Sequence, residues 1–187
     1  MTFKETTIPG CTIVRQRIMA DDRGRFAKLF QADAFAQAGL RIDWREEFHS
    51  RSRRDVVRGM HFQTPPADHA KLVVCLAGAV LDVVVDLRRG SPAFEQVSAI
   101  ELSEANGIAL YVPSGCAHGF VSLSDDSLML YKVTSVHSPE NDCGIAWDSL
   151  GFDWGVAHAN LSERDRHHPR MVDFDTPFTF DPAAPAR

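Results

Sequence analysis

Between Val56 and Gln63 the chain reads Val-Val-Arg-Gly-Met-His-Phe-Gln, and Lys71 follows His61 by ten residues. Arg58 and His61 are ionisable side chains in a run otherwise built from Val, Met and Phe. An imidazole titrates close to neutral pH, at about 6.5 when unperturbed, so it can exchange a proton under ordinary conditions. The apolar run predicts a buried β-strand, in which every second side chain shares a face. Arg58 then falls with Met60, and Gly59 falls with His61 and Gln63. A bulky imidazole beside a glycine inside such a strand points to a cavity wall. The competing reading is a core histidine satisfied by a backbone carbonyl.

The elements that must hold this strand are short and regularly spaced. Thr7–Arg17 alternates as a strand and ends at the turn Asp21-Asp22-Arg23-Gly24, and Arg25–Gln31 resumes it. Gln31–Gly39 predicts the one short helix, with Gly39 ending it, and Trp44–Ser52 another strand. Lys71–Gly78 and Ala79–Arg88 are two apolar runs hinged at Gly78. Ala99–Leu102, Ala109–Pro113, Gly119–Leu123 and Leu128–Val133 follow, separated by Gly, Pro, Ser and Asp. Leu161–Asp165 predicts a helical turn capped by Ser162. Many short strands with little helix predict a β-sandwich or barrel in one domain over 1–187, with a loose Pro/Ala tail from about 182 to 187.

Composition narrows the function. At 187 residues, with 44% hydrophobic and 24% charged residues, the chain is an ordinary globular protein with room for a sizeable core. A formal charge of −5 argues against nucleic-acid binding but leaves room for a small anionic ligand held by local arginines. Cys11, Cys75, Cys116 and Cys143 show no C-x-x-C pairing and predict free buried thiols in a reducing cytoplasm. No signal peptide or membrane span of about 18 apolar residues is expected.

Gly107, five further residues, then Pro113-x-Gly115-x-x-His118 resembles the second motif of the cupin superfamily. That resemblance implies a double-stranded β-helix, a cupin-like jelly roll, with short helices at the periphery. In metal-binding cupins this histidine is a ligand, joined by two more in a His-x-His motif that is absent here. His61 is followed by Phe62-Gln63, and His69 sits in a Pro-rich loop and reads as solvated. A tight transition-metal site wants three or four placed ligands, so no metal is expected.

Seven segments occur together and in order: Asp22-Arg23-Gly24, Arg58–Gln63, Lys71-Leu72-Val73, Asp86–Pro92, Pro113–Phe120, Leu130-Tyr131-Lys132 and Leu161–Asp165. Jointly they resemble the dTDP-4-dehydrorhamnose 3,5-epimerases, cofactor-free jelly-roll enzymes acting on a nucleotide-linked 4-keto-6-deoxyhexose. The resemblance runs from about Asp21 to Asp165. It implies His61 as the base, Asp165 as the carboxylate that orients it and Tyr131 as the acid on the opposite face. By the same resemblance Lys71 and His118 steady the enolate oxygen, and Arg23 and Arg58 hold the diphosphate. Phe26, Glu46, Gln63 and His137 complete the expected substrate-binding set. A homodimer is implied too, with N-terminal strands crossing so that Arg23 serves the partner's site.

Taken singly, Tyr131 is a half-buried strand tyrosine, Asp165 a surface acid, Lys71 a strand-end lysine and Arg23 a turn residue. Phe26 and Phe120 read first as core, Trp147 and Trp154 as packing, and Asp86 with Arg88 and Arg89 as a structural ion-pair cluster. His158, His167 and His168 read as solvated. Departures from the family pattern fall at Lys28, at Glu46-Glu47-Phe48 and at Val136-His137, while Met60 in place of leucine is near-isosteric. The first two concern the nucleotide base and leave its identity open. His137 falls where an aromatic flanks the sugar, which leaves single-carbon epimerisation open. Other classes compatible with the sequence are a metal-dependent cupin oxygenase using His61 and His118, a non-catalytic sugar-binding jelly roll and, among enzymes, a 3,4-ketoisomerase.

Overall fold

The computed structural model describes residues 1–182. The expected loose tail lies outside them except for Pro182. Thirteen strands form two large antiparallel sheets and a separate hairpin among the described residues. One sheet carries, in order, β1 (Thr2–Glu5), β2 (Thr12–Arg15), β10 (Ile108–Val112), β7 (Lys71–Ala77), β12 (Ser127–Val133) and β5 (Glu46–Ser52). The other carries β13 (Asp142–Gly144), β6 (Val57–Gln63), β11 (Cys116–Ser122), β8 (Ala79–Asp86) and β9 (Val97–Ser103). Renumbered from β5 to β12, the inner strands run 1-8-3-6 in one sheet and 2-7-4-5 in the other. That interleaving is the jelly roll expected from the cupin-like motif.

Side-chain alternation sorts the core into three layers. Val73 and Cys75 of β7, Val80 and Val84 of β8, Phe120 of β11 and Met129 of β12 meet between the sheets. Leu72 and Val74 point the other way, onto Phe35 of helix α1 (Ala32–Gln37). Met60, Phe62, Val83, Val85 and Val121 face outward from the second sheet, where Trp154 and Phe178 of the C-terminal segment cover them. Because both its faces are covered, β11 is buried along its whole length. Trp147 joins that layer, so both tryptophans pack as expected.

Several boundaries differ from the sequence reading. The single strand expected over Thr7–Arg17 splits, because a turn closed by Thr6 N–H to Cys11 O at 2.9 Å precedes β2. Arg17–Asp21 then forms β3, which pairs with β4 (Gly24–Lys28) as a free-standing hairpin. Strands β1 and β13 carry no alternation long enough to read; pairing with β2 and β6 makes them. Helix α1 ends with Gly39 at φ +74°, the left-handed position that suits glycine. Ser162 caps α2 (Glu163–Arg166), accepting from Asp165 N–H at 3.1 Å.

Alternation fails at one place that matters. Between β6 and β11, His61 faces His118 but Arg58 faces Phe120, so three steps on β6 match two on β11. One extra residue in β6 is a β-bulge, and it inverts the side-chain parity beyond it. Arg58 therefore lines the same interior cleft as His61 and Gln63, while Met60 packs outside. Gly59 permits the bulge: its φ is +144°, and a Cβ there would lie 2.6 Å from Gly119 Cα.

Candidate active site

The cleft between the sheets measures about 360 Å³. Strand β5 lends it Glu46, Phe48 and Ser50; β6 lends Arg58, His61 and Gln63; β7 lends Lys71; β11 lends His118; β12 lends Tyr131. Loop residues His69 and His137, with Asp142 and Arg164, complete the rim. A second hollow of about 440 Å³ is lined by Arg88 and Ser114 among others. Those groups are already engaged, Arg88 with Asp86 at 2.8 Å and Ser114 with Asp68, as suits the structural role expected of the Asp86 cluster.

His61 Nε2 lies 2.6 Å from Asp165 Oδ1, across 104 residues of sequence. The imidazole is 28% exposed and the carboxylate 3%, so the ring is reachable and its partner is not. An ionised carboxylate accepts the Nε2 proton, which leaves the lone pair on Nδ1. Burial pulls the His61 pKa below its ordinary value, partly countered by Asp165. Burial also pushes against ionising Asp165, but the His168 ring, with Nε2 3.5 Å from Oδ1, and the His61 hydrogen bond hold it well below the usual carboxylate range. The pair is therefore neutral imidazole and carboxylate at neutral pH. A base of this kind can take a proton from carbon.

Tyr131 comes from the opposite sheet. Its hydroxyl meets Ser50 Oγ at 3.1 Å, and Phe48 stacks on its ring at 4.8 Å. Burial pushes the phenol pKa well above its usual value, so it stays protonated and can serve only as a donor of that proton. Lys71, also buried, donates to His61 O at 3.0 Å, and burial lowers its pKa to about 8. Arg58 donates to Ser52 Oγ at 3.0 Å and Arg51 O at 3.1 Å. It has no carboxylate partner among the described residues, so its positive charge faces the cleft. His118 Nε2 is bonded to Asp82 Oδ2 at 2.8 Å, and burial raises the Asp82 pKa.

Arg23, expected to serve a partner's site, and Phe26 sit on the β3–β4 hairpin outside this subunit's cleft, both exposed, and Arg23 pairs with Asp21. Several expectations need correcting. Phe26 is not core, though Phe120 is. Gln63 lines the cleft, but its amide is spent on loop backbone, donating to Ala67 O at 2.8 Å and accepting from Ser138 N–H at 2.6 Å. Glu46 accepts from His137 N–H at 2.8 Å, which ties the β5 edge to the loop above it. His69 is not solvated: Nδ1 lies 3.0 Å from Ser135 Oγ, and burial drives its pKa down to about 3. His168 is also withdrawn from solvent, edge-on to the His61 ring at 5.7 Å. The His61–His118 ligand pair of the oxygenase reading is divided, His118 being committed to Asp82; among the described residues the donor atoms that do cluster are those of His61, Asp165 and His168, within 4.8 Å.

Sequence reasoning assigned no role to Ser50, Asp142 or Arg164. Arg164 sits inside a segment read for its neighbour Asp165, and pairs with Asp142 at 2.7 Å. Its adjacency to that carboxylate was the available signal. Ser50 carried none, since only the register of β5 against β12 brings it to Tyr131.

A family model described as dTDP-4-dehydrorhamnose 3,5-epimerase matches residues 5–173. The dTDP-4-dehydrorhamnose 3,5-epimerase of Pseudomonas aeruginosa is 41% identical over 179 residues, covering 94% of this chain and 98% of that one. The dTDP-6-deoxy-D-glucose-3,5-epimerase of Legionella pneumophila, solved in complex with dTDP-4-keto-L-rhamnose, superposes with a TM-score of 0.91 at 33% identity, over 96% of this chain and 99% of its own. A 3′-monoepimerase from Streptomyces bikiniensis, solved with dTDP-quinovose, gives 0.85 at 32% identity, over 89% and 86%. With its jelly roll and a histidine–carboxylate pair facing a tyrosine, the chain belongs to the dTDP-4-dehydrorhamnose 3,5-epimerase family, a family of nucleotide-sugar epimerases.

Proposed function

We propose that this chain inverts carbon 3, carbon 5 or both in a nucleoside-diphosphate 4-keto-6-deoxyhexose, without a cofactor. The observation that carries the reading is the origin of the two proton-transfer groups. His61 stands on β6 in one sheet and Tyr131 on β12 in the other, so a sugar ring lying between the sheets meets them on opposite faces. His61 Nδ1 takes the proton from the carbon next to the ketone, and the electron pair moves onto the carbonyl oxygen. Lys71 and His118 stabilise that enolate; Tyr131 then returns a proton to the same carbon from the other face. His61 afterwards loses its proton to solvent and Tyr131 regains one, so atoms and charge balance.

Arg58 suits one end of a diphosphate, since its guanidinium is unpaired by acid and forked. Arg23 and Phe26 join the site from the partner subunit of a homodimer. Supporting this, the β3–β4 hairpin pairs with neither large sheet and leaves Met19 and Phe26 half or more exposed. Glu46 contacts the nucleoside, and His137, whose N–H it accepts at the rim, flanks the sugar. The setting is deoxysugar and polysaccharide biosynthesis in the cytoplasm, where Cys11, Cys75, Cys116 and Cys143 remain the free thiols they are here. No helix among the described residues is long and apolar enough to cross a membrane.

A second reading, inversion at a single carbon, is favoured by the likeness to the Streptomyces monoepimerase and by His137, which hydrogen-bonds Asp142 at 3.2 Å. One experiment separates the two. In deuterium oxide with dTDP-4-keto-6-deoxyglucose, the 3,5-epimerase incorporates label at both carbons and a monoepimerase at one. Label at neither, or full exchange by His61→Ala, overturns the proposal.

A further inference from the structure

His168 is unused by the reaction as described, yet its ring stands 5.7 Å from that of the base. It follows His167, the residue that ends α2, and its segment is pinned when Pro169 O accepts from Ala146 N–H at 2.7 Å. Its side chain is 11% exposed. Nε2 is fully buried, makes no hydrogen bond within ordinary limits, and lies 3.5 Å from Asp165 Oδ1. That oxygen is the one already held by His61 Nε2. The two rings meet edge-to-face at 73°.

Room for this ring is built into the sheet. Gly144 on β13 is the register partner of His61, and a Cβ at Gly144 would stand 2.4 Å from His168 Nε2. The neighbouring His167 turns away, toward Glu163 O at 2.7 Å. So of two adjacent histidines, one lies at the surface and one is packed on the catalytic pair.

We propose that His168 is a positioning residue for the reaction: it holds the Asp165 carboxylate beside His61 and, by sharing its charge, limits how basic His61 becomes. The inference rests on the reading of His61 as base and Asp165 as its partner. A buried carboxylate facing one imidazole directs its whole field onto that ring and raises its proton affinity. A second ring nitrogen set against the same oxygen can draw off part of its negative charge, which leaves less of it to stabilise an imidazolium at His61. A base held mostly neutral near pH 7 is what proton abstraction requires. The other charged groups around His61 are Arg164 from α2 and Lys71 from β7, with His118 its neighbour across β11. Asp142 of β13 is taken by Arg164 and His137.

The test is a nitrogen-15 imidazole titration of the free full-length protein, together with the pH profile of kcat/KM for deuterium exchange. Wild-type His61 titrates below about 6.5. His168→Leu, which fills the space without an N–H, moves the His61 midpoint and the acid limb of the profile upward together, by about half a pH unit or more. At a pH below the limb, kcat/KM then falls about threefold or more. His168→Gln, whose amide can still donate to Asp165, stays near wild type in both readouts. An unmoved midpoint in His168→Leu overturns the proposal, as does a His168→Gln variant that behaves like His168→Leu while keeping the wild-type fold. The titration needs no substrate. A shifted midpoint in a protein that turns over no 4-keto sugar would keep this inference and discard the proposed substrate.

Discussion

At the residue scale, the roles proposed for His61 and Tyr131 rest on their protonation states. The imidazole is held neutral by burial, with its N–H committed to Asp165, so its free lone pair can only accept. The phenol is held protonated by burial and can only give. The two half-reactions should therefore separate. Tyr131→Phe is expected to retain deuterium wash-in from the His61 side while losing inversion by about 10²–10⁴-fold, the usual worth of a general acid. Mass and proton spectra of the recovered sugar read exchange and configuration independently. Loss of both together would place proton abstraction, too, under the control of Tyr131. Much of this set was legible in sequence: the types His, Tyr, Lys and Arg are chemically distinctive, and each stands in a short recognisable segment. Ser50 and His168 were not, because a serine in an edge strand and a histidine after a helical turn have no intrinsic preference for a site.

At the element scale, the bulge in β6 is the local feature on which the cleft depends. Straight alternation would send Arg58 outward with Met60 and leave the interior without its unpaired guanidinium. Gly59 and Gly119 make the bulge possible by letting two backbones approach to a distance no side chain allows. Gly59→Ala is expected to destabilise the fold by roughly 2–4 kcal/mol, combining positive-φ strain with overpacking against Gly119. Thermal unfolding measures the loss, and an unchanged Tm would show that β6 can re-register without cost. The periodicity of β7 and β12 was readable because two-residue alternation is a property of the strand alone. The bulge was not, since it is defined by the register of β6 against β11, sixty residues further along the chain.

At the scale of the whole molecule, the hairpin β3–β4 forms a two-stranded sheet of its own and joins neither large sheet among the described residues. If it completes the neighbouring subunit's cleft, activity depends on subunits trading parts. Inactive His61→Ala and Arg23→Ala proteins, unfolded and refolded together, should then regain about a quarter of wild-type activity: half of the dimers are mixed, and each has one intact site. No recovery from a mixture that light scattering shows to be dimeric would confine Arg23 to its own subunit. The chain by itself determined a β-sandwich or barrel and, through its resemblance to the epimerase family, the jelly-roll class and the residue types expected to act as base, acid and phosphate-binding groups. Strand alternation, turn residues and short motifs are local signals and survive without a fold. Only the tertiary structure decided which of those groups meet. Asp165 reaches His61 across 104 residues, Arg58 turns inward because β11 sets its register, and His69 and His168 are buried by loops packed over them. Each depends on a contact between segments distant in sequence, and exposure, parity and proximity are properties of such contacts rather than of the residues making them.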